Sequence, residues 1–199
     1  MKTSEVIINS NGDGMEKAIE ETQRLAEESG LTHKEQIRLR LLSEELFGIM
    51  KGATGEAEGS YYVEREGKSF EIHLVSDVDL TKEMKLTLLS VATSGENDAV
   101  KGFMSKIKDM IGTAMLPADD AISRMSSGLM SMGSPSSFRT GETYEWSMRQ
   151  YKSGIQNAEG KEAEEAWDEL EKSIVANIAD DVKISITGYT VKVVISKAF

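Results

Sequence analysis

The chain has no cysteine, few aromatic residues (6%), no long apolar run and a shortage of positive charge. Without cysteine there is no disulfide framework, and thiolate metal sites and thiol nucleophiles are excluded. That absence also fits a cytoplasmic protein. No apolar run approaches the roughly 18 residues that a membrane span requires. The opening MKTSEVIINSNGDG has too short a hydrophobic stretch for a secretory leader. Lys and Arg number 23 against 34 Asp and Glu, a net charge of −11. Such a surface repels the phosphates of nucleic acid and of anionic lipid, so neither nucleic acid nor a membrane is an expected partner. An anionic small ligand would need a local island of amides and lysines. What is present is 199 residues with 39% hydrophobic and 29% charged content, enough for one globular domain with a proper core.

Residues 4–9 read as a short strand, closed by the turn residues Asn11, Gly12, Asp13 and Gly14. Residues 15–29 read as an amphipathic helix with Gly30 as its stop. A second helix follows at once over 31–53, where Thr32 and Glu35 form a capping box and Gly52 with Gly55 supplies the end. At about 100° per residue, Ile37, Leu41, Leu42, Leu46, Ile49 and Ala53 share one apolar face, and Glu45 projects inside it between Leu41 and Ile49. Glu44 lies at the edge of that face. An acid at the position of Glu45 is protonated, has a polar partner, or faces a cavity rather than hydrocarbon. Two readings stay open. Glu45 is either a carboxylate aimed into a ligand pocket as a general base, or one that snorkels to water or pairs with a basic side chain.

A hairpin follows, with strands at 61–64 and 69–75 around Arg65-Glu66-Gly67-Lys68. Helices are expected at 81–91 and from Gly102 through 103–115, separated by a polar loop. From 116 to 142 the composition turns to Ser, Gly and Met, which reads as an insertion or as a lid or partner-binding segment with methionines as adaptable contacts. A strand at 144–151, a helix at 159–178 and a closing hairpin at 182–187 and 189–197 complete the chain. In that last hairpin Val182, Ile184 and Ile186 oppose Val191, Val193 and Ile195 on one apolar face. The fold class is α+β: a two-layer sandwich whose mostly antiparallel, mixed sheet of about six strands carries helices on one face. Residues 1–112 form the core, 113–143 the flexible loop, and 144–199 complete or extend the same domain.

Several catalytic signatures fail. Gly67-Lys68-Ser69 is the tail of a phosphate-binding P-loop, but Tyr62 holds the first glycine position and a hairpin surrounds it. Gly12 and Gly14 open a helix as in a dinucleotide fingerprint, but Lys17 replaces the third glycine and the next element is a helix. His33 and His73 lie on different elements without clustered ligands and read as ordinary surface histidines.

Chain order carries more. Strand, helix, a helix with Glu44-Glu45-Leu46-Phe47, hairpin, an Asp ending its second strand, a loop, then a glycine opening an apolar helix: over about residues 4–112 this resembles the histidine-kinase/gyrase-type ATPases. Within this GHKL, or Bergerat-fold, superfamily it looks most like the anti-sigma-factor serine kinases. The resemblance implies ATP, with Mg2+, as ligand and a protein partner as target, and a homodimer is among the expected assemblies. It makes Glu45 the candidate general base and Asp77 the reader of the adenine amino group. Gly95, Lys101 and Gly102 would then sit at the phosphates, at a helix N-terminus. The motifs are degenerate. Ile49 stands where a magnesium-binding Asn belongs, and isoleucine offers no oxygen to a hard cation. Val78-Asp79 follows Asp77 where a glycine is expected. The resemblance therefore implies an ATP-binding regulatory domain, a nucleotide-responsive switch with weak or lost kinase activity. The alternative is a nucleotide-free, non-catalytic interaction module on the same fold.

Overall fold

In chain order the computed structural model contains β1 (Val6–Asn9), α1 (Met15–Glu28), α2 (His33–Thr54), β2 (Glu58–Glu66), β3 (Ser69–Asp77), β4 (Thr143–Ser147), α3 (Met148–Gln156), α4 (Lys161–Lys172), α5 (Ile174–Ile178), β5 (Asp181–Thr187) and β6 (Thr190–Ala198). The structure describes residues 1–54, 58–77, 143–157, 159–187 and 190–199. The expected helices at 81–91 and 103–115, the Ser/Gly/Met-rich loop, and the candidate ligands Gly95, Lys101 and Gly102 lie outside the described residues.

The six strands form one sheet in the order β1-β2-β3-β6-β5-β4, with every described pairing antiparallel. The two long hairpins meet at its centre, where β3 pairs with β6 from Ser69↔Ala198 to Asp77↔Thr190. The C-terminal hairpin has the expected register: Val182, Ile184 and Ile186 lie opposite Ile195, Val193 and Val191. Gly67 adopts φ 59° in the tight turn between β2 and β3, a left-handed conformation that side chains disfavour. One face of the sheet is apolar. Phe70, Ile72 and Leu74, with Val191, Val193 and Ile195, are buried there with the helices. The architecture is thus an α+β two-layer sandwich.

Three hydroxyls tie α1 and α2 to this face. Tyr61 of β2 is buried, its Oη 2.6 Å from Thr22 Oγ1 of α1 and 2.8 Å from Ser43 Oγ of α2. Burial pushes the Tyr61 hydroxyl up to about 12, so it stays protonated and available as a donor. Phe47 packs on the same ring at 5.2 Å. At the other end of α1, Gly14 lies against β1 with φ 79°, and a Cβ there would run into the carbonyl oxygen of Ile7.

Two expected elements are divided. The strand over 144–151 ends at Ser147, and α3 begins at Met148. Ser147 Oγ accepts from the Gln150 amide, while Asp181 collects the Ser147 hydroxyl at 3.0 Å, the Arg149 amide at 3.0 Å and the Val182 amide at 2.9 Å. A buried carboxylate from another strand thus supplies the cap, which local periodicity does not encode. The helix over 159–178 breaks at Ser173, whose extended ψ of 123° and bond from the Ala176 amide start α5 afresh. Ile174 is exposed at that start.

Replacing Asp181 by Ala should remove three charge-assisted bonds and cost about 2–3 kcal/mol of stability. Urea denaturation followed by circular dichroism measures it, and an unchanged midpoint would show that the cap contributes nothing.

Candidate functional site

α2 lies on the apolar face, but rotated from the expected orientation. Among its described side chains the buried ones are Leu39, Leu42, Ser43, Leu46 and Phe47, spaced i, i+3, i+4, i+7 and i+8. Phe47 and Ser43 turn toward Tyr61, and this draws the stripe away from Ile37, which is 44% exposed. Glu45 is half-buried at the flank of the stripe, with no hydrogen bond or ion pair among the described residues. Glu44 is exposed and accepts from Arg40 Nε at 2.8 Å. At the start of α2, Glu35 accepts from both the amide and the hydroxyl of Thr32 at 2.7 Å, so the glutamate half of the capping box forms and the threonine hydroxyl donates to it instead of accepting from an early amide. The Thr32 hydroxyl bond holds the Glu35 carboxyl below the usual carboxylate range.

Asp77 ends β3 as expected, and it is exposed. Its Oδ1 accepts from Thr190 Oγ1 at 2.6 Å across the β3–β6 pair. Side chains alternate along a strand. Phe70, Ile72, Leu74 and Ser76 point to the helices, whereas Glu71, His73, Val75 and Asp77 occupy the opposite face. The structure therefore does not bring Asp77 and Glu45 together. Ser76 is the residue at this end of β3 that faces the helix layer, and its hydroxyl donates to the Glu58 carbonyl at 2.8 Å.

The opposite face holds a cluster that sequence reasoning missed. His73, expected on the surface, is 4% exposed. The register places Tyr62 across from it and Glu64 across from Glu71. The Tyr62 ring stacks on the imidazole at 4.6 Å and 11°, and Lys2 Nζ lies 3.6 Å from the centre of the Tyr62 ring. His73 Nε2 is 3.5 Å from Glu71 Oε2 and 3.6 Å from Glu64 Oε2, yet neither ring nitrogen has a hydrogen-bond partner among the described residues. Burial pulls the imidazole below its ordinary value, helped by Lys192, while Glu64 and Glu71 pull the other way. The turn at Gly67-Lys68 fixes which residues face each other, so the pairings Tyr62–His73 and Glu64–Glu71 were encoded. Burial by stacking on Tyr62 was not.

No family model, curated protein or solved structure matches the chain. Among the described residues, no helix is long and apolar enough to cross a membrane.

Because folding depresses the His73 pKa, the unfolded chain takes up the imidazole proton first as pH falls. The stability associated with neutral His73 is complete above the ordinary histidine value near 6.5 and declines as pH drops through the lower folded value. Thermal melts should therefore show Tm falling from pH 7 to 5 in the native protein, and falling less in His73→Gln. Equal slopes for the two proteins would contradict this.

Proposed function

We propose that the chain is an ATP-binding regulatory domain that acts in the cytoplasm as a nucleotide-responsive switch on a protein partner, in the manner of the anti-sigma-factor serine kinases it resembles. The reading rests on one observation: Glu45, half-buried beside the sheet-facing stripe of α2, has no hydrogen bond or ion pair among the described residues. A carboxylate in that position is available to orient or deprotonate a group bound between α2 and the sheet. The element order β1-α1-α2-β2-β3, with the last hairpin closing beside β3, supports the same reading.

Asp77 changes the form of the proposal. Because it belongs to the face away from α2, the nucleotide is seated without it, on the side of Glu45 and Ser76. Ile49 leaves Mg2+ without its expected side-chain oxygen, so phosphoryl transfer is slow and binding is the principal activity. The outward turn of Asp77 also favours a second reading, a non-catalytic interaction module that has lost the nucleotide.

Calorimetric titration with Mg-ATP separates the two. The first reading predicts saturable heat and a raised Tm, both unchanged by Asp77→Ala. It also predicts that Glu45→Gln lowers residual hydrolysis by about 10²-fold or more with binding kept. Neither heat nor a thermal shift at millimolar nucleotide would leave the interaction module.

A further inference from the structure

Glu64 and Glu71 face each other directly across the β2–β3 pair. Two carboxylates so placed repel, and such a pair is destabilising unless a cation joins it. Lys2 feels Glu64 through space, but its ammonium makes its ion pair with Glu5 at 2.8 Å and lies over the Tyr62 ring. The carboxylates are about half exposed, at 46% and 50%, so their ends are free to adjust. An acidic pair alone would point to nothing, since solvated carboxylates are common on sheet faces.

The imidazole is what points to a ligand. The His73 side chain is 5% exposed, both its nitrogens lack hydrogen-bond partners among the described residues, and Nε2 is directed between the two carboxylates. Leaving a buried polar group unpaired costs about 1–3 kcal/mol. Stacking on Tyr62 holds the ring in that orientation. The distances have a simple meaning. Zn2+ binds imidazole nitrogen and carboxylate oxygen at about 2.0–2.2 Å, and a tetrahedral ion with such bonds sets its donors about 3.3–3.6 Å apart. Nε2 lies 3.5 and 3.6 Å from the two carboxylate oxygens, too long and too poorly aligned for hydrogen bonds. All three donor atoms fall within 4.8 Å of one another.

We propose that Glu64, Glu71 and His73 form a Zn2+ site, with three protein ligands and a fourth position open to solvent. Nitrogen in the donor set selects a borderline transition metal over Mg2+ or Ca2+, which take oxygen. Two carboxylates and a neutral imidazole leave a net charge of zero on the Zn2+ complex. The metal joins β2 to β3 two residues from their turn and relieves the Glu64–Glu71 repulsion. Beside the two carboxylates, Met1, Lys2, Arg65, Glu66 and Ser69 wall a hollow of about 350 Å3 with Glu64 and Glu71, room for water or a small anion. Among the described residues Nδ1 has no acceptor, so Tyr62 takes over the orienting role that a hydrogen bond usually plays at zinc-bound histidine. The site is on the face opposite α2 and is independent of nucleotide binding.

The test uses the full chain, stripped with chelator and titrated with Zn2+ against a chromophoric competitor. One equivalent should bind, and Co2+ in its place should give the intense visible bands of a tetrahedral centre. His73→Phe, which keeps the ring stack, should weaken Zn2+ binding by at least about tenfold, as should Glu64→Gln and Glu71→Gln. Glu20→Gln on α1 should bind as the native chain does. Absence of stoichiometric binding at micromolar Zn2+ overturns the proposal. So does native affinity in Glu64→Gln and Glu71→Gln, which are exposed enough to fold even if His73→Phe does not.

Discussion

The parity of β3 is the constraint on which the rest of the structure depends. Phe70, Ile72, Leu74 and Ser76 must face the helices because no other residues of this central strand complete the core. Once they do, Glu71, His73, Val75 and Asp77 have no choice of side. A slip of one residue would exchange the two sets and bury two acids in hydrocarbon, so the register is strongly specified. β6 repeats the rule beside it, with Val191, Val193 and Ile195 inward, and the pairing of the two strands locks both. Each fully buried aliphatic side chain contributes about 1.5–3 kcal/mol. Among the described residues, one side of the sheet is thus committed to packing against helices and the other carries Glu71, His73 and Asp77.

The helix layer is positioned by fewer contacts, and these are more specific. Tyr61 reaches Thr22 and Ser43 with a single hydroxyl, which fixes the rotation of α1 and α2 together. That rotation decides the surroundings of Glu45. With Ser43 and Phe47 held against Tyr61, Glu45 lies at the flank of the packed stripe, not within it. Asp181 plays a comparable part at the far edge, ending β4 and starting α3 with a carboxylate from β5.

Much of the fold was legible in the sequence because it rests on period. The alternation in both hairpins, the capping residues before α2 and the glycine turns all act through near neighbours. The α+β architecture followed from those elements. What was not legible depended on contacts distant in sequence. The rotation of α2 needed Tyr61, the end of β4 needed Asp181, and the break at Ser173 turned on one hydroxyl against an otherwise helical pattern. At the candidate sites the same division holds. The alternation Phe70, Ile72, Leu74 already implied that Asp77 and Glu45 occupy opposite sides of the sheet. The burial of His73 required knowing that Tyr62 covers it from the neighbouring strand.

Single cysteines introduced into this cysteine-free chain measure that two-sidedness most directly. Each residue from Phe70 to Asp77 is replaced in turn by Cys, and labelling by a soluble thiol reagent is timed in the folded protein. Labelling should be fast at 71, 75 and 77, slow at 70, 72, 74 and 76, and intermediate at 73, where Tyr62 stacks on the native side chain. Uniform rates, or fast labelling at the even positions with protection at 77, would contradict it.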